Sequence, residues 1–123
     1  MEEKIKSLLE QVGRPYQMYN EDGTYQGCFY PLQVLYPKIK RYKMLTEDLE
    51  KSYVYGMKKL KKHFKEVGVN DLQMGDVITT KYKGALHIAI YLEFGKIIHV
   101  FNGHSLQIGR LKMFRDFQSF RVR

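Results

Sequence analysis

A single cysteine stands among 123 residues, so no internal disulfide framework holds this chain together and its stability must come from packing. Prolines number only three, and no apolar run approaches the roughly 20 residues that a membrane-spanning helix requires. Repeats, linkers and low-complexity segments are missing, and the length suits one domain spanning residues 1–123. Acidic residues are in deficit: 13 Asp and Glu stand against 21 Lys and Arg, for a formal net charge of +8. That excess favours polyanionic partners, whether nucleic acid, anionic wall polymer or an acidic membrane surface, without choosing among them. The start "MEEKIKSLLEQV" lacks the basic and apolar stretches of a signal peptide, so a cytoplasmic location is expected.

What is present divides into helices followed by strands. Ile5, Leu8, Leu9 and Val12 form one stripe of a first helix that Gly13 and Pro15 stop. In "CFYPLQVLYP", Pro31 is tolerable only in a first helical turn and Pro37 cannot continue the helix, which puts Cys28 at or just before the start of a short helix. A longer helix is expected from a Thr46 cap, with Glu47 and Asp48 in its first turn. Leu49, Tyr53, Met57, Leu60, Phe64 and Val67 mark one face, and Gly68 ends it. Its other face carries Lys51, Lys58, Lys59, Lys61, Lys62 and Lys65. Beyond Gly68 come five strand-like runs, "DVITT", "LHIAIYL", "KIIHVF", "SLQI" and "FQSFRV". Helices first and an antiparallel sheet after them is the α+β pattern.

The stretch "HIAIYLEFGKIIHV" sets a histidine on each strand of an apolar hairpin. A three-residue loop Glu93-Phe94-Gly95, built as a type I turn with Gly95 in the left-handed position, pairs Leu92 with Lys96. His87 and His99 then share a sheet face as diagonal neighbours, with Cβ atoms roughly 7 Å apart. A two-residue loop would put them on opposite faces; the position of Gly95 favours three.

These residue types suit nucleophilic chemistry. A helix N-terminus and a neighbouring imidazolium both stabilise a thiolate. If the short helix packs on the face bearing His87, that imidazole can take the Cys28 proton and return it to a leaving amine, while His99 fixes its tautomer. A zinc site of Cys28, His87 and His99 is chemically possible, but no paired-ligand spacing accompanies it, so neither metal nor other cofactor is expected. His63 falls on the lysine-rich helix as a solvated residue, and His104, in "NGHS", competes with His99 for the third role.

"GRPY", then "GC" entering a helix, then "LQMGDVI" and "HIAIYLEFGKIIHV" together resemble the NlpC-type family of papain-like cysteine peptidases, which cut peptide bonds in bacterial peptidoglycan. The resemblance implies a papain-like α+β domain with N-terminal helices packed on an antiparallel β-sheet. It also implies Cys28 as nucleophile, His87 as base, His99 as the third residue, and Tyr16 lining the pocket near the oxyanion. Family members commonly read Asp-Cys-Ser where this chain has Gly27-Cys28-Phe29, so a pocket shaped by Phe29 and Tyr16 is expected, with weak activity on ordinary diaminopimelate stems. The expected function is a cysteine peptidase or amidase acting on a peptidoglycan-type or related γ-linked peptide, encoded by a phage or prophage or acting in the cytoplasm. The alternative is a catalytically silent binding or phage tail module that holds an anionic polymer on its lysine face. Motifs for reading nucleic-acid bases are lacking.

Overall fold

The computed structural model describes residues 1–13, 29–39, 49–100 and 105–123. Helices α1 (Glu2–Glu10), α2 (Tyr30–Leu35) and α3 (Leu49–His63) precede six strands: β1 (Phe64–Val67), β2 (Val77–Tyr82), β3 (Ala85–Tyr91), β4 (Lys96–Val100), β5 (Leu106–Arg110) and β6 (Gln118–Val122). The strands form one antiparallel sheet in the order β1-β6-β2-β3-β4-β5. This is the expected α+β arrangement.

Alternation along the strands makes two faces. Leu86, Ile88 and Ile90 of β3, with Val77, Ile98, Val100 and Phe120, form the main core against Ile5 and Leu8 of α1, Leu32 and Leu35 of α2, and Met57 and Leu60 of α3. Ile78, Ala89 and Ile97 face the other way and are covered by Leu111, Phe114 and Phe117, from the connection between β5 and β6. The three helices therefore occupy one side of the sheet.

Two expectations are corrected. The long helix stops at His63, and Phe64–Val67 is a strand paired with β6 in the register Phe64↔Val122 to Val67↔Ser119. Phe64 and Val67 fit helical spacing, but the free edge of β6 takes up their backbone groups, and the Arg123 N–H closes on the His63 carbonyl at 2.9 Å. In α1 only Ile5 and Leu8 are buried; Leu9 and Val12 lie outside the core. Gly13, at φ +91°, turns the chain there and donates its N–H to the Leu106 carbonyl at 2.9 Å. Thr46, Glu47 and Asp48 lie outside the described residues.

The β3–β4 connection keeps the expected register by a different turn. Leu92 N–H donates to the Lys96 carbonyl at 2.8 Å and Lys96 N–H donates to the Glu93 carbonyl at 2.9 Å, so two residues face one across a bulge. Phe94 (φ +51°) and Gly95 (φ +75°) are both left-handed, where a type I turn would leave Phe94 right-handed. The strands thus pair Ile90 with Ile98 and Tyr91 with Ile97.

Candidate active site

The hairpin register decides which side chains meet. Continuing it by one residue sets Ala89 opposite His99, so His87 is the diagonal neighbour of His99 on the same face. His87 Nε2 lies 2.8 Å from His99 Nδ1, with ring centroids 5.1 Å apart and planes at 76°. The expected pairing of the two imidazoles is present.

Their surroundings are apolar. His87 and His99 are 6% and 2% exposed. Phe114 stands edge-on to both rings, with centroids at 5.6 and 6.0 Å. Thr80, paired with His87 across β2 and β3, donates its hydroxyl to the Asp116 carbonyl at 2.5 Å and so ties the connection carrying Phe114 over the histidines. Burial pushes His87 down to about 4, aided by the nearby His99, and burial alone pushes His99 down to about 4.

Both rings are therefore neutral at neutral pH, with a single proton in the bond between them. For His87 Nδ1 to accept a proton, its Nε2–H must donate to His99 Nδ1, which places the His99 proton on Nε2. A Cβ added at Gly109 would lie 3.0 Å from that nitrogen and 3.1 Å from Met113 Sδ. Gly109 on β5, paired with Ile97, leaves the His99 ring the space it occupies. The histidine pair is neutral, whereas the sequence suggested a standing imidazolium beside the thiol.

The remaining expected site residues are distributed differently. Cys28, Tyr16 and His104 lie outside the described residues. α2 begins at Tyr30, two positions after Cys28 in the sequence. The condition that α2 pack on the face bearing His87 is not met, because Leu32 and Leu35 join Ile88 and Ile90 on the opposite face. Phe29, expected to shape the pocket, is 6% exposed and belongs to the main core. His63 is exposed at the end of α3, as expected. Among the described residues, no group of three or more His, Cys, Asp or Glu side chains could hold a metal ion.

The "LQMGDVI" block has a structural task. Asp76, 2% exposed, accepts the Gln73 N–H and two hydrogen bonds from the Arg121 guanidinium at 2.9 and 2.8 Å, joining β2 to β6. Tyr36 donates its hydroxyl to the neighbouring Gly75 carbonyl at 2.7 Å, and burial, then the Asp76 charge, pushes its phenol up to about 12. Phe114, Thr80 and Gly109 were missed as site residues. Gly109 alone left a signal, a glycine inside a strand pattern.

The NlpC/P60 family model matches residues 16–118, which spans the hairpin and the segment containing Cys28. This chain belongs to the NlpC/P60 family. Its fold is similar to that of RipD from Mycobacterium tuberculosis, described as a non-catalytic NlpC/p60 domain protein with an adaptation to peptidoglycan-binding function. Identity to RipD is 19% over 98% of this chain and 93% of the other, with a TM-score of 0.51. No curated protein matches the chain. None of its described helices is long and apolar enough to cross a membrane.

Proposed function

We propose that this NlpC/P60 domain is a cysteine peptidase or amidase acting on a peptidoglycan-type or related γ-linked peptide. The observation that carries this reading is the 2.8 Å contact between His87 Nε2 and His99 Nδ1; in the tautomer where His87 donates across it, the lone pair of the His87 ring sits on Nδ1. This reading requires Cys28, which lies just before α2 in the sequence, to reach the His87 face although α2 itself packs on the other; its Sγ then loses its proton to His87 Nδ1 and bonds to the amide carbonyl carbon. The tetrahedral intermediate collapses with cleavage of the C–N bond, and the His87 proton passes to the departing nitrogen. Water then attacks the thioester, giving its proton to His87 and releasing the acid and the Cys28 thiol. His99 holds His87 in the tautomer that each step needs, and the Cys28 backbone N–H with Tyr16 meets the oxyanion.

The test is hydrolysis of γ-linked wall peptides, with products identified by mass spectrometry, by the parent and by Cys28→Ala. Turnover by the parent that Cys28→Ala abolishes supports the reading. Turnover by both alike ends it.

A second reading is a non-catalytic module that binds wall polymer through the lysine face of α3. The observation favouring it is the packing of α2 on the side of the sheet away from His87. Lys58, Lys61 and Lys62 are exposed, while Lys59 lies half-buried with its ammonium 5.9 Å from the Tyr55 ring centroid. Iodoacetamide labelling of the lone cysteine separates the two readings, because a binding module has no need of a reactive thiol.

A further inference from the structure

The tip of the β3–β4 hairpin carries features that the histidine pair does not use. Phe94 is 90% exposed and sits at φ +51°, a conformation that bulky residues seldom adopt. The turn presenting it is tied on two sides: Gly95 donates its N–H to the Tyr91 hydroxyl at 3.1 Å, and the Gly95 carbonyl accepts the Leu111 N–H at 2.7 Å. Those bonds hold the hairpin tip against the start of the β5–β6 connection.

Between them runs a groove of about 520 Å³ whose walls include Phe94, Leu111 and Phe117, and whose cations are Lys96, Arg110 and Lys112. Lys96 and Arg110 face each other directly across β4 and β5, where like charges repel. Among the described residues none of the three cations has an acidic partner, and the ion pair present joins Arg121 to Asp76 elsewhere. Glu93 and Asp116 are close in sequence but do not line the groove. Neither His87 nor His99 reaches it.

We infer that this groove binds an anionic polymer whose phosphates alternate with polyol or sugar units. The phosphates neutralise the Lys96–Arg110–Lys112 cluster, and the carbon face of the intervening unit lies on Phe94 and Phe117. Charge of one sign argues against a zwitterionic stem peptide, which would bring an ammonium among three cations. Two phenylalanines suit the carbon face of a polyol as well as a base, so a single-stranded oligonucleotide is the competitor that the test includes. The fixed turn means that little ordering is needed on binding. This site is separate from the proposed hydrolytic one and does not depend on Cys28.

The experiment measures affinity of the full chain for purified poly(glycerol phosphate) at two salt concentrations. The variants are Lys96→Glu with Arg110→Glu, Phe94→Ala, and Lys58→Glu with Lys61→Glu on α3. The hairpin charge reversal is expected to weaken binding at least about tenfold and flatten its salt dependence, since fewer counterions are released. Phe94→Ala is expected to weaken binding about threefold with the salt slope unchanged, because an apolar contact releases no ions. The α3 variant should stay within about twofold of the parent. Lys96→Glu alone should melt no lower than the parent, because it turns a like-charge pair into an opposite-charge one, and should itself weaken binding about threefold or more, so that loss cannot be ascribed to unfolding. Absence of binding, loss on the α3 reversal but not the hairpin reversal, or equal affinity for polyglutamate or a single-stranded oligonucleotide would each overturn the proposal.

Discussion

On β3, Leu86, Ile88 and Ile90 press against the helices, while His87 and Ala89 point to the face covered by the residue 111–117 connection. The helix side is a continuous apolar core of aliphatic side chains with Phe29, Phe64 and Phe120. The other side is also dry, yet it encloses two imidazoles that satisfy each other across 2.8 Å. One face is therefore constrained by volume and the other by hydrogen-bond direction. Side chains one residue apart on the same strand should respond to substitution in different ways.

The largest contrast compares Ile88→Ala with His87→Ala. Removing the fully buried Ile88 side chain should cost about 2–5 kcal/mol and lower the melting temperature by many degrees. His87→Ala should leave a folded protein by circular dichroism and abolish peptide hydrolysis. A His87→Ala protein that retains the parent rate would remove the catalytic meaning of the second face.

Acid sharpens the same contrast. Both imidazoles are pushed down to about 4 by burial, against an unfolded value near 6.5. A depressed value means that the native state resists protonation, so the stability from these rings is full above about 6.5 and is lost as pH falls towards 4. The loss is at most roughly 3 kcal/mol for each ring. Chemical denaturation between pH 7 and 4 should show this slope in the parent and a shallower one in His87→Gln. Equal slopes would mean that the rings are solvated.

Gly109→Ala tests the packing behind His99. The new methyl would meet His99 Nε2 at 3.0 Å and Met113 Sδ at 3.1 Å, and only the methionine is flexible enough to move aside. A cost of about 1–3 kcal/mol is expected, with hydrolysis lowered about tenfold by a misaimed base. Adding Met113→Ala should not restore the rate. Full recovery in the double variant would assign the clash to Met113.

The smallest effect should come from Phe114→Leu, which keeps the histidines covered but removes the edge-on ring. Loss of the aromatic contacts should cost about 1 kcal/mol, and NMR titration should find both imidazoles still well below 6.5. Phe114→Ala opens the cover and should move both values up towards 6.5. A His99 value that stays near 4 after Phe114→Ala would place the source of its burial elsewhere.

Much of this architecture is legible in local residues. Alternation marked the five strands from β2 to β6, Pro31 and Pro37 bounded α2, and Gly95 implied the offset that pairs His87 with His99. Phe94 was misread because its left-handed backbone is stabilised by bonds to the turn from Tyr91 and Leu111, which local preference does not register. β1 was misread because Phe64 and Val67 stand three apart, which is helical spacing, and the partner that settles the matter, β6, lies at the far end of the chain.

Strand periodicity and turn chemistry act over a few residues, so the sequence by itself determined the hairpin, its register and the meeting of two imidazoles on one face. Tertiary packing decided which face the helices cover, that Phe29 is core, and that Phe114 and Gly109 enclose the histidine pair. The physical reason is that alternation makes two apolar faces without labelling them. Only the summed contacts of α1, α2, α3 and the 111–117 connection select which element covers which, and that choice sets the dielectric around His87 and His99.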